Sequence, residues 1–296
     1  MKKLAPKRTE SDFIQSASVT AMMRALLSEK NEFQNPDYLA KYFVSHPWSE
    51  FLKDREKSIE NLEERVPGCI YYHLVRTKKF DQLCLKWLKE NKNGQIIILG
   101  SGFDSRAIIF QDKLDKNFIY EFDLKQMLNY KKEIIKSNNF CNSLKSNFID
   151  INFHEDSLIE SFFSNKIDQH KNTLIIWEGV TYFLDESTII EILNNLNEYF
   201  TNELEIILDY AYRDYINGNL SYYGASELNR ELKEINEPHL FGLEQNKLDG
   251  FFNALGYKVD ENSKAEDLEN EFGLKKKIHA FHGILKIEKR VYNGKI

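Results

Sequence analysis

Along the chain the spacing of apolar positions changes near residue 94. Before it, apolar residues recur at helical intervals. Met22, Ala25 and Leu26 predict a helix across 18–27, and Pro36-Asp37 opens a second that carries Tyr38, Leu39, Tyr42 and Phe43. Residues 58–66 form a third, charged on one side and stopped by Pro67-Gly68. A long amphipathic helix follows over 70–90, with Leu74, Phe80, Leu83, Leu85 and Leu88, and ends at Asn91-Lys92-Asn93-Gly94. After Gly94, short apolar runs predict strands over 95–100, 117–122, 146–150, 173–177 and 204–210. Helical segments 104–112, 124–137, 156–164 and 185–200 lie between them. Continuous apolar strands suit burial on both faces, and strand–helix alternation gives a parallel sheet with right-handed crossovers, an α/β fold. Beyond Tyr215 the pattern weakens to a turn at Asn217-Gly218-Asn219 and short helices over 227–234 and 247–255. Strands at 257–259 and 283–288 close the pattern.

Candidate chemistry gathers where strands end. Ile96-Ile97-Ile98-Leu99 runs into Gly100-Ser101-Gly102-Phe103-Asp104-Ser105-Arg106. Two glycines let the backbone turn tightly and approach a ligand, and Asp104 or Ser105 can cap the next helix. The dinucleotide fingerprint wants a third glycine where Ser105 stands, so the match is partial, and an ordinary strand-to-helix turn accounts for it equally. Asp123 ends the second strand, roughly 20 residues past the glycines, where an acid accepts hydrogen bonds from ribose hydroxyls; it can also cap the helix that starts at Leu124. Glu178-Gly179 ends the fourth strand on the same rim, and a buried acid there needs hydrogen-bond donors. Asp150, after the third strand, can accept from an adenine amino group with Ile151 against the ring, or start an Asx turn. Arg76 is suited to a carboxylate or to a surface ion pair.

Composition narrows the partners. The chain has 296 residues, enough for one large domain or a core with a lid, and a net charge of -6 that argues against nucleic acid. Lys275-Lys276-Lys277 has no interleaved aromatics and reads as a solvated face. Cys69, Cys84 and Cys141 show no metal-like spacing, so no metal is expected; their odd, sparse count fits reduced thiols in the cytoplasm. No signal peptide or membrane span is apparent.

Taken jointly, Arg76-Thr77 with Phe80-Asp81, the 99–106 turn, Glu121-Phe122-Asp123 and Glu178-Gly179-Val180-Thr181-Tyr182-Phe183-Leu184 resemble the leucine carboxyl methyltransferase family. These are class I S-adenosylmethionine-dependent methyltransferases. Ser18, Thr20, Ala21, Arg24 and Ala25, with Pro36-Asp37 and Ala40, resemble the N-terminal segment of its bacterial branch, which is associated with O-methylation of small molecules. The resemblance spans roughly 18–260 and departs from the family at Asp150-Ile151-Asn152. It implies a Rossmann-like, mostly parallel seven-stranded sheet with an antiparallel edge hairpin. Residues 1–90 then form a helical lid and 91–296 the core, with a substrate-cap insertion around 216–250. It also implies that Arg76 holds the methionine carboxylate. The Gly100-Ser101-Gly102 turn passes under methionine and ribose, and Asp123, with Leu124 beside it, binds the ribose. Asp150 and Ile151 flank adenine, Glu178-Gly179 faces the cofactor's amino group, and Thr20 lies near its tail.

The acceptor side is less defined. A carboxylate nucleophile needs no base at neutral pH, whereas a hydroxyl does. No histidine sits in an evident basic constellation; His239 and His73 are the candidates, each equally readable as structural. Tyr182, Tyr210, Tyr212 and Arg213 are expected near the substrate mouth, with Arg213 alternatively paired to Asp209 or Asp214. This favours an O-methyltransferase acting on a carboxylate, or a hydroxyl, of a small molecule or a peptide C-terminus. The competing readings are a nicotinamide-dependent oxidoreductase and a non-catalytic cofactor-binding protein.

Overall fold

A computed structural model describes residues 10–28, 37–140 and 144–290. Cys141 and Pro36 lie outside the described residues. Three helices come first: α1 (Glu10–Ser28), α2 (Arg55–Arg65) and α3 (Cys69–Glu90). Strands and helices then alternate through β1 (Gln95–Leu99), α4 (Arg106–Ile109), β2 (Phe118–Asp123), α5 (Lys125–Ser137) and β3 (Ser146–Asp150). The series continues with α6 (Leu158–Ser164), β4 (Thr173–Trp177), α7 (Glu186–Tyr199) and β5 (Leu204–Tyr212). Last come α8 (Arg213–Ile216), α9 (Ala225–Glu234), β6 (Gly242–Leu243), α10 (Leu248–Ala254), β7 (Tyr257–Lys264), α11 (Ala265–Glu271) and β8 (His282–Lys289).

The sheet order is β3-β2-β1-β4-β5-β8-β7, with β6 paired to β5 off this path. The first five strands are parallel; β8 runs antiparallel to β5, and β7 antiparallel to β8. The chain is therefore the expected class I methyltransferase sheet with its antiparallel edge. The extra strand, β6, is two residues long, too short to show a period in the sequence. The order reverses between β1 and β4, the switch point at which open α/β sheets bind ligands beyond the strands' carboxyl ends.

Both faces of the central strands are buried, because alternate residues serve different cores. Ile97, Leu99, Ile175, Trp177, Ile206 and Leu208 pack with Phe162 of α6 and Ile189 and Leu193 of α7. Ile96, Ile98, Leu174, Ile176 and Ile207 pack with Met22 and Leu26 of α1 and with Leu74, Leu83 and Trp87 of α3. Each fully buried Leu, Ile or Phe contributes about 1.5–3 kcal/mol. The N-terminal helices thus share the sheet's core.

Two predicted helices differ. The one over 104–112 becomes α4 and a separate 3-10 turn at Gln111–Lys113, because the Asp104 carboxylate accepts from Arg106 N at 2.8 Å and starts the helix there. The one opened at Pro36-Asp37 shrinks to a 3-10 turn at Ala40–Phe43, whose Phe43 stacks on Phe103. β7 is longer than predicted, since its polar 260–264 half carries no apolar signal; such residues suit the exposed margin of an edge strand.

Candidate functional site

The carboxyl ends of β1 to β4 deliver Gly100, Asp123, Asp150 and Glu178 to one rim. At the first of these ends, Gly100 (φ +68°) and Gly102 (φ +42°) take left-handed backbone. A Cβ on Gly100 would meet Val180 Cγ2 at 2.5 Å, so the turn lies directly under the Glu178-Gly179-Val180 segment. Gly100 and Ser101 donate their amides to the Phe122 carbonyl at 2.8 and 3.0 Å. Asp123 grips the same turn: its Oδ2 accepts from Gly102 N at 2.6 Å and its Oδ1 from Leu124 N at 2.7 Å. The carboxylate thus ties the turn to Leu124, the residue that precedes α5. Burial raises its pKa and the two amides oppose that rise. A carboxylate has acceptor sites beyond the two used here. The Ser101 hydroxyl is buried and has no partner.

Next along the rim is an ion network. Glu178 bridges two guanidiniums, Arg76 Nε at 3.0 Å and an Arg106 terminal nitrogen at 2.8 Å. Burial alone would raise its pKa; Arg106 and Arg76 outweigh that and hold it at about 2. Arg76 also donates to Tyr182 Oη at 2.8 Å and to Asp209 Oδ2 at 3.0 Å, and lies 3.1 Å from His73 Nδ1. These contacts nearly saturate a guanidinium. Arg106 in turn pairs with Asp81 at 2.7 Å and with Asp104. Burial pushes Asp81 up to about 7, with Arg106 opposing. Gly179 (φ +75°) donates to Asp209 Oδ1 at 2.7 Å, and a Cβ there would sit 3.3 Å from Arg76.

Helix α1 crosses the turn. Arg24 pairs with Asp37 at 2.7 Å and donates to the Phe103 carbonyl at 3.0 Å, while Ser105 donates to Asp37 at 2.8 Å. Thr20 is half-buried and donates to the Ala17 carbonyl at 2.9 Å, within 3.5 Å of Arg24. Ser16 of the same helix donates to Glu237, which lies in the segment between α9 and β6. Asp150 is exposed at the rim, and Ile151 is buried, its amide bonded to the Asp123 carbonyl at 3.0 Å.

The acceptor-side candidates separate. Tyr182 is buried, accepts from Arg76 and donates to Asp209 at 3.2 Å; burial holds its hydroxyl protonated. His239 packs against it at 4.4 Å between ring centroids, and burial lowers its pKa to about 3. Arg213 departs from its expected pairing. It binds Glu186 at 2.7 Å and lies over Phe241, because Asp209 faces the interior with Arg76 and Asp214 bonds Tyr222 and Asn219. Tyr210 does not share Asp209's surroundings; its hydroxyl donates to Asn262 of β7 at 3.0 Å.

The sequence showed no histidine constellation, yet the fold builds one. Tyr72 stacks on His282 at 4.9 Å and on His279 at 5.8 Å, and His282 lies 5.5 Å from His239. Tyr72 comes from α3, His239 from the segment before β6, His279 from the segment between α11 and β8, and His282 from the start of β8. His279 and His282 are near neighbours in sequence, but no local spacing brings Tyr72 and His239 to them. The paired roles of Arg106, Asp81 and Asp209 were hidden in the same way. Among the described residues, no group of three or more His, Cys, Asp or Glu is arranged to hold a metal.

Comparison with known proteins bears on the family and the fold. The family model described as leucine carboxyl methyltransferase matches residues 17–197. No curated protein matches the sequence. A DUF574 family protein from Streptomyces avermitilis is similar in structure at a TM-score of 0.60 and 11% identity, over 90% of this chain and 100% of that one. A protein from Thermobifida fusca, described as a putative methyltransferase, is similar at a TM-score of 0.59 and 10% identity, over 92% and 94%. At such identities the structural likeness bears on the fold, and the family match bears on the chemistry. The chain belongs to the leucine carboxyl methyltransferase family and is an S-adenosylmethionine-dependent methyltransferase.

Proposed function

We propose that the enzyme methylates an oxygen, of a carboxylate or a hydroxyl, on a small molecule or a peptide C-terminus. The observation that carries the cofactor half is Asp123, whose carboxylate clasps the Gly100-Ser101-Gly102 turn and keeps acceptor sites beyond the two it uses. The residues present fit S-adenosylmethionine. Ser101 offers a buried hydroxyl without a partner, Asp123 its remaining acceptor sites to ribose, and Glu178-Gly179 an anion to an ammonium group. Leu124, Asp150 and Ile151 supply the adenine end, and Thr20 the tail. Arg76 takes the methionine carboxylate with what donor capacity Glu178, Asp209 and Tyr182 leave it. When bound, the cofactor supplies an electrophilic methyl group.

What the chain adds is alignment and exclusion of water. Orientation of this kind is worth on the order of 7–11 kcal/mol. α1 and the 216–250 segment serve as lid and cap, and the Ser16–Glu237 contact joins them over the rim. Arg213, turned toward Glu186, keeps a role only at the outer mouth. The net charge of -6 and the unpaired buried thiols of Cys69 and Cys84 support a non-nucleic-acid acceptor and a cytoplasmic setting. The test is transfer of labelled methyl into cell extract, followed by mild base. Methanol release identifies a carboxyl ester; base-stable label leaves an ether or an N-methyl product, which mass spectrometry of the isolated product separates. An N-methyl product, or no incorporation, refutes O-methylation. In calorimetry S-adenosylhomocysteine should bind and NAD should not.

A further inference from the structure

Among the described residues eleven buried side-chain polar atoms have no hydrogen-bond partner, and six belong to one cluster. They are Tyr72 Oη, His239 Nδ1, and both ring nitrogens of His279 and of His282. His282 is the hub. Its ring centroid lies 4.9 Å from Tyr72, 5.3 Å from Tyr182, 5.5 Å from His239 and 5.9 Å from His279. Tyr182 in turn holds Arg76 and Asp209, so the cluster adjoins the ion network at the rim. His239 is half-buried, and there the cluster meets solvent.

Each buried polar group left unpaired costs about 1–3 kcal/mol. A site that needed only flat packing would carry phenylalanine, as position 281 does between His279 and His282. Three imidazoles and a phenol are explained if they meet a ligand. Burial keeps the rings neutral, and a neutral imidazole presents one N–H and one lone pair. Such a set matches a group that both donates and accepts. Charge points the same way. The adjoining network holds Glu178, Asp209, Asp81 and Asp104 against Arg76 and Arg106, so the guanidiniums already have their anions. The methionine carboxylate assigned to Arg76 uses what donor capacity is left, so a second carboxylate would add an uncompensated anion there; a hydroxyl would not. The sequence-level preference for a carboxylate rested partly on the family resemblance and partly on the lack of a base, and the cluster bears on the second ground alone.

We propose that Tyr72, His239, His279 and His282 form the acceptor subsite, that it takes a neutral hydroxyl-bearing ring compound of the phenol or enol class, and that His282 receives the hydroxyl proton. Tyr72 stacks on His279 and on His282, so the ring enters from the partly exposed side at His239, where Tyr182 and Phe183 pack beside the imidazole. The hydroxyl oxygen bonds to the methyl carbon as that carbon's bond to sulfur breaks and its electron pair stays on sulfur. The O–H proton passes to the free lone pair of His282, so one positive charge is lost at sulfur and one gained on the imidazole.

The inference rests on the methyltransferase reading but is tested apart from it. 2-Naphthol and 2-naphthoate, nearly equal in size, are titrated into the whole protein with and without saturating S-adenosylhomocysteine, by calorimetry and by side-chain 15N spectra of labelled histidines. The expected result is at least tenfold tighter binding of naphthol and a shift of the His282 ring nitrogens. His282→Phe should abolish the preference with the affinity for S-adenosylhomocysteine unchanged. The spectra of the unaltered protein decide the matter should that variant not fold. Equal or tighter binding of naphthoate, binding of neither compound, or an unmoved His282 overturns the proposal. Failure to bind S-adenosylhomocysteine instead counts against the site assigned to the cofactor and leaves the naphthol result to be read alone.

Discussion

Asp123→Asn isolates the double duty of one carboxylate. In the native protein each oxygen accepts one backbone amide, Gly102 N at 2.6 Å and Leu124 N at 2.7 Å. Asparagine keeps one carbonyl oxygen, so one amide is left facing an NH2 group. An unsatisfied, partly buried donor of this kind costs about 1–3 kcal/mol of stability. The charge-assisted bond to a ribose hydroxyl is worth a further ~1.5–3 kcal/mol, or about 10- to 150-fold in the dissociation constant. A urea melt should therefore show modest destabilisation with the fold retained, and calorimetry a separate loss of S-adenosylhomocysteine affinity. A ligand without the 2′-hydroxyl should lose less on substitution, because part of the contact is already gone. A folded variant with unchanged affinity, or an equal loss for both ligands, refutes the ribose assignment and leaves Asp123 as a clasp for the turn.

Three further outcomes follow from the same geometry. Arg76→Lys should destabilise by about 2–3 kcal/mol through lost charged hydrogen bonds to Glu178 and Asp209, read in a urea melt. If it also touches the methionine carboxylate, affinity should fall more for S-adenosylhomocysteine than for 5′-methylthioadenosine; equal losses remove that contact. Gly100→Ala places a Cβ at 2.5 Å from Val180 on left-handed backbone and should lower stability by about 1–3 kcal/mol, seen as a shifted melt. Burial lowers His239 and His279 to about 3, below their unfolded value near ~6.5. Their stabilisation is full above that unfolded value and is lost as pH falls toward 3, by up to about 1.4 kcal/mol per pH unit for each ring. His279→Phe should flatten that slope between pH 6 and 4 by about one ring's share in melts across pH; an unaltered slope shows that His279 is not buried neutral.

The sheet was legible because strands β1 to β5 are short apolar runs set between helical stretches, and burial on both faces leaves that mark locally. Asp123 and Glu178 were legible because they stand at strand ends, where position alone implies the rim. Asp209 was not. It lies inside β5, and its partner Arg76 is 133 positions away, so proximity in sequence pointed wrongly to Arg213. The meeting of His239 with His282 was missed for the same reason, although His279 and His282 stand close together in sequence. His239 and His282 meet only because β8 is laid against β5, with His282 opposite Ala211, and a strand's neighbours are not written in its own residues.

The insertion of β8 between β5 and β7 also orders events during synthesis. Glu205 of β5 pairs with Glu288, 83 positions later, so the edge of β5 that faces away from β4 waits for its partner until β8 has left the ribosome. β5 is nine residues long and buried at nearly every position, which makes that open edge sticky toward other chains. Parallel strands β1 to β4 can assemble behind it while this exposure lasts, and late, non-local pairing is slow. The nascent chain therefore passes through an aggregation-exposed stage that a chaperone able to cover a single strand edge would shorten.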